Sequence, residues 1–131
     1  MPINTDAFRL KARLSLAGAE SEYANGRYDN CVNRCYYACF QAAIAALADA
    51  GLLREGRSWS HAFVPGQFDG QMITRRKQFS TSLRGTLTFT YELRQKADYQ
   101  EQSVTDSEAR AALRRTRAFV SAILEQEREI V

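Results

Sequence analysis

Residues 28–50 read YDNCVNRCYYACFQAAIAALADA, and their spacing decides the fold. Tyr28, Cys31, Cys35, Cys39, Ala42 and Ala46 recur at three- and four-residue intervals, the repeat of one face of an α-helix. Val32, Tyr36, Phe40, Ala43 and Leu47 widen that apolar arc. A helix apolar over so much of its circumference belongs at the centre of a bundle. Its alanines and cysteines let neighbouring helices come close, and Gly51 is its stop signal.

Upstream, Ile3, Ala7, Leu10, Leu14, Ala17, Ser21 and Ala24 give a first helix an inward stripe, with Asn4 or Thr5 as N-cap and Asn25-Gly26 as its end. Downstream, residues 51–78 are the least regular part. Gly51, Gly56, Pro65, Gly66 and Gly70 leave room for one short helical segment beginning near Ser60, preceded by a loop expected to be mobile. Helical spacing returns with Phe79, Leu83, Leu87, Thr90, Leu93 and Ala97. Thr105-Asp106-Ser107-Glu108 has the spacing of a capping box. It opens a last helix with Ala109, Ala112, Leu113, Thr116, Phe119, Val120 and Ile123 inward. No stretch alternates as a strand does, so the fold class is all-α: an antiparallel bundle of four long helices plus one short helix. The corner Tyr23-Ala24-Asn25-Gly26-Arg27-Tyr28-Asp29 resembles a tetratricopeptide turn, but nothing repeats it about 34 residues on, so it is a single hairpin.

At 131 residues, 45% hydrophobic and 25% charged, the chain is expected to form a single domain over 1–131 with a sufficient core of its own. No run is long and apolar enough for a membrane span and no secretory signal precedes the first helix, so a cytoplasmic location and no membrane partner are expected. The net charge of +3 is mild. Arg75-Arg76-Lys77 and the set Arg110, Arg114, Arg115 and Arg117 either attract phosphate or solvate helix faces. Cys31 and Cys39 stand about 12 Å apart along a helix axis, too far to share a zinc ion. Helical i,i+4 cysteines also lack disulfide geometry, so all three read as small buried hydrophobes in a reducing compartment. Without a glycine-rich phosphate loop, ligand spacing or nucleophile triad, no metal and no cofactor are expected.

The polar residues inside the helix patterns carry the chemistry. Arginine and aspartate are seldom buried unpartnered. Arg94 and Asp98 are one helical turn apart, with Tyr91 extending their surface. On the second helix Asn33, Arg34 and Tyr37 adjoin, and Gln41 continues the strip. If these helices pack together, Asn33, Arg34 and Asp98 form one polar cluster. It acts either as a staple, through an Arg34–Asp98 salt bridge with tyrosine hydroxyls completing it, or as a site.

The ordered set Gly26-x-Tyr28, Asn33-Arg34-x-Tyr36-Tyr37-Ala38-x-Phe40, Ser60-His61, Arg94-x-x-Ala97-Asp98-Tyr99 and Ala118-Phe119-Val120 resembles the small prokaryotic HEPN domains over nearly the whole chain. The resemblance implies an all-α domain that dimerises, often partners a minimal nucleotidyltransferase, and in many members is a metal-independent endoribonuclease toxin. Active members carry an arginine and a histidine separated by four to six residues. Arg94 matches that arginine, but positions 99, 100 and 101 are Tyr, Gln and Glu. The chain's one histidine is His61, which either approaches the cleft or, as the favoured reading, serves as a capping or packing residue.

The expected function is RNA or nucleotide binding as a homodimer within a toxin–antitoxin or defence pair, with metal-independent endoribonuclease chemistry as its candidate activity. Arg34, Tyr37 and Arg94 are the expected binding residues, and Arg94, Asp98 and Tyr99 the candidate catalytic ones. A carboxylate and a phenol do not replace an imidazole near neutrality without strong tuning. The rival reading is a non-catalytic interaction module that pairs with a nucleotidyltransferase or another protein.

Overall fold

The computed structural model describes residues 3–53 and 59–130. The expected mobile loop falls largely on residues 54–58, outside the described residues. α1 (Thr5–Ala24) starts where the Asn4 side chain accepts from the Ala7 amide at 3.0 Å. It ends at Asn25, and Gly26 turns the chain with φ 74°, a left-handed conformation that glycine adopts without a Cβ clash. α2 (Tyr28–Asp49) returns alongside it. Tyr23 and Tyr28 stack across the corner with ring centroids 5.6 Å apart.

α2 packs against α1 on one side and against α4 (Thr86–Tyr99) and α5 (Asp106–Ile130) on others, the central position its apolar arc predicts. Cys31, Cys35 and Cys39 are fully buried, and the Cys39 thiol donates to Thr116 Oγ1 at 3.5 Å. The α5 stripe is buried as expected, from Ala109 to Ile123. Its capping box is closed. Glu108 N donates to Thr105 Oγ1 at 3.1 Å, and Thr105 N donates to Glu108 Oε1 at 3.0 Å.

Two expectations need correction. The α1 stripe was set by its aliphatic residues, yet Leu10 is 53% and Leu14 62% exposed, and Ala17, Ser21 and Ala24 also face out. The inward face is Arg9, Ala12, Ser15 and Ala19, with Phe8 and Leu16 beside it. Small residues there let α1 lie close on α2, and close packing outweighs the larger transfer energy of two leucines. Arg9 enters this interface by pairing with Asp49 at the far end of α2 and with Asp6 at 2.8 Å.

The irregular stretch is also more helical than its breakers suggest. α3 (Phe63–Gln67) runs directly into a π-helical turn, Phe68–Arg75, then a 3₁₀ turn at Thr81–Leu83. Pro65 lies in the first turn, where its missing N–H has no intrahelical partner to lose. Phe68, Met72 and Ile73 anchor the π turn in the core, Phe68 against Phe119 at 4.8 Å. α4 accordingly starts at Thr86, later than the apolar spacing suggests, because Gly85 at φ 78° breaks the run. Among the described residues no helix is long and apolar enough to cross a membrane.

Candidate functional site

The packing of α2 on α4 brings Asn33, Arg34, Tyr37, Arg94 and Asp98 into one cluster. Asn33 Nδ2 donates to Asp98 Oδ2 at 3.2 Å, and Arg34 Nη2 donates to Asn33 Oδ1 at 2.8 Å. Arg34 therefore reaches Asp98 only through Asn33, and the expected direct Arg34–Asp98 bridge is replaced by Arg94–Asp98, with Nε 3.4 Å from Oδ2. The reason is local. Arg34 is exposed, its stem lies over Gly18 of α1 and its Cζ sits 5.3 Å from the Tyr37 centroid, which draws it away from α4.

Arg94 is the more enclosed cation of the group, with 13% of its side chain exposed. Its Cζ lies 5.2 Å from the Tyr36 centroid and 5.3 Å from that of Tyr37. The Nε–H meets Asp98 at ion-pair distance without hydrogen-bond alignment, so a buried donor remains unspent. A guanidinium fixed against two aromatic rings, with donors to spare, can receive an oxyanion such as phosphate.

His61 joins this cluster from the segment before α3, where it both packs and stands beside the site. Ser60, not His61, supplies the cap, its Oγ accepting from Phe63 N at 2.9 Å. The imidazole packs against Tyr91 at 4.8 Å between centroids, against Tyr36 at 5.4 Å and against Phe40 at 5.9 Å. Its Nδ1 is hydrogen-bonded to the Tyr36 hydroxyl. Tyr91 is steadied in turn by Gln95 Nε2, which donates to its hydroxyl at 2.5 Å. Loss of solvation, and then the Arg94 charge, hold the imidazole below its ordinary 6.5, while burial raises the Tyr36 phenol. The signal in the sequence was the tyrosine pair 36–37 opposite Tyr91, which leaves a flat apolar wall for an imidazole.

Two other expected members lie apart. Tyr99 is 72% exposed at the end of α4, and its side chain makes no hydrogen bond or ring contact among the described residues. Gln41 turns to α1, its amide meeting the Ser15 hydroxyl at 2.8 Å. The basic groups are dispersed. Arg110 is bound to Tyr23 and Asp106, Arg115 covers Phe89, Arg117 pairs with Glu20, and residues 75–77 are exposed.

The HEPN domain model matches residues 5–127. The chain belongs to the HEPN family. It is also 30% identical over 120 residues to the protein described as "Putative toxin MJ0605" from Methanocaldococcus jannaschii, covering 92% of this chain and 86% of that relative. The five-helix HEPN bundle and its order of elements agree with the architecture expected from the sequence.

Proposed function

We propose that this HEPN protein is a toxin-type endoribonuclease of the cytoplasm, working without metal as a homodimer and held in check by a partner such as a minimal nucleotidyltransferase. One observation carries the reading: Arg94 is held over the Tyr36 and Tyr37 rings with its Nε turned to Asp98, while its Nη donors make no hydrogen bond among the described residues. That cation takes a backbone phosphate of RNA, Arg34 and Tyr37 hold the adjoining nucleotide, and exposed Tyr99 offers a ring on which a base stacks. Asp98, already engaged by Asn33 and Arg94, orients the arginine and is a poor candidate for the proton-transfer step. The relative's description as a toxin supports the same class.

The test is cleavage of a mixed RNA pool by the purified chain in EDTA, beside Arg94→Ala at matched fold. Cleavage by the wild type and its loss in the variant is the expected result.

A second reading rests on Leu10 and Leu14, exposed one turn apart on α1 with exposed Ala17 in line. Such a stripe suits a protein partner or a second copy. If the chain is purely an interaction module, Leu10→Ser with Leu14→Ser abolishes association while Arg94→Ala changes nothing.

A further inference from the structure

HEPN catalysis of the kind proposed above needs a proton acceptor near the arginine, and α4 carries Tyr, Gln and Glu where a histidine would follow Arg94. We infer that His61, delivered from the segment before α3, supplies that acceptor, with Tyr36 as its positioning residue. The inference rests on the RNA-cleaving reading and names the group that performs its chemistry.

The geometry is that of a built pair. Tyr36 is 1% exposed and rigid in the core of α2, and its single ring contacts both Arg94, at 5.2 Å, and His61, at 5.4 Å. The phosphate-binding cation and the imidazole are thereby held on one aromatic platform. The bond between Nδ1 and the Tyr36 hydroxyl fixes which edge of the imidazole faces away, as an orienting partner does for a catalytic histidine. Nε2 has no partner among the described residues, and in the tautomer whose Nδ1–H donates to the Tyr36 hydroxyl it carries a free lone pair. The residue as a whole is exposed, so an RNA strand can reach it.

The step balances without a cofactor. The 2′-oxygen of a ribose attacks the adjoining phosphorus. A P–O2′ bond forms and the P–O5′ bond breaks, leaving a 2′,3′-cyclic phosphate and a 5′-hydroxyl. The 2′ proton passes to Nε2 of His61, the departing 5′-oxygen takes a proton from solvent, and the imidazolium returns its proton to solvent. Arg94 stabilises the charge that builds on the phosphoryl oxygens. Among the described residues, the charged and titratable groups facing the imidazole are Tyr36 from α2 and Tyr91 and Arg94 from α4. Loss of solvation and then the Arg94 charge lower its pKa, which favours the neutral form a base requires.

The experiment compares the wild type, His61→Gln, His61→Ala and Tyr36→Phe on the RNA pool in EDTA, with RNA affinity and circular dichroism measured for each. His61→Gln is expected to slow cleavage by about 100-fold or more, the ordinary worth of a general base, with affinity unchanged. Added imidazole restores part of the rate to His61→Ala, which a packing role does not allow. Tyr36→Phe lowers the rate and shifts the tautomer balance of the imidazole, read from its ¹⁵N resonances. Cleavage by the wild type and equally by His61→Gln overturns the assignment and leaves the RNA-cleaving reading intact. A wild type that cleaves no RNA overturns both.

Discussion

Arg94 on α4 rests on the face of Tyr36 on α2, its Cζ 5.2 Å from the ring centroid, so a cation of one helix is stored against an aromatic of the next. Guanidinium suits this position because it is planar, weakly hydrated and permanently charged. The contact holds the charge in place before any ligand arrives, and the ligand therefore bears little of the cost of ordering it.

Arg94→Ala is expected to weaken RNA binding and to reduce the dependence of log affinity on log salt by about one phosphate contact, a slope change of roughly 0.7 on a single strand. Arg94→Lys keeps the charge and most of that slope, but loses the planar fit on the two tyrosines and binds less tightly. Fluorescence anisotropy across a salt series reads both quantities. A slope unchanged in Arg94→Ala would take this residue out of the phosphate contacts.

Asp98→Ala is expected to lower stability by about 1–2 kcal/mol, because it strips the partner from a mostly buried arginine and from Asn33 together. In a domain of this size that is a fall in Tm of roughly 4–8 °C. Arg34→Ala, removing an exposed side chain bound to Asn33 alone, should cost less than about 0.5 kcal/mol. Thermal unfolding of the two variants separates them. Equal losses would mean that Arg34, and not Arg94, neutralises Asp98.

Much of this was legible in residues 28–50, whose apolar arc is wide enough to name the central helix without a structure. The α5 stripe and the Thr105–Glu108 box were equally plain, since both depend on contacts three or four residues apart. The inward face of α1 was not, because its contacts are alanine and serine and its two prominent leucines point outward. The place of His61 is open to two readings in the sequence for a different reason. Its neighbours Tyr36 and Tyr91 lie 25 and 30 positions away in the sequence, and no periodicity connects a loop residue to two helices.

The chain contains one histidine, so a single set of imidazole resonances reports on His61. Desolvation and then Arg94 hold its pKa below 6.5 in the folded protein. Between the folded value and 6.5 the unfolded chain binds more protons than the folded one. The contribution of this group to stability is therefore complete above pH 6.5 and is lost as pH falls through the folded value. An NMR titration is expected to give a midpoint below 6.5 in the wild type and a higher one in Arg94→Gln. A midpoint that does not move on removing the arginine would place the two side chains out of electrostatic reach.

The cysteines test whether the centre of the bundle is sealed. Burial pushes the Cys39 thiol up to about 12, and Cys35 is raised first by its hydrogen bond with Cys31 and then by burial. The same hydrogen bond lowers Cys31, but all three side chains are fully enclosed, so access is denied in the folded state. At pH 8 the native protein is expected to take up no aromatic-disulfide reagent on the timescale of mixing, and the unfolded chain to take up 3 equivalents. Any slow labelling of the native protein should track the rate or population of unfolding, and vanish when the fold is stabilised by ligand. One equivalent reacting promptly would show that a face of α2 opens without unfolding, and the Tyr36 platform carried by the same helix would then be mobile as well.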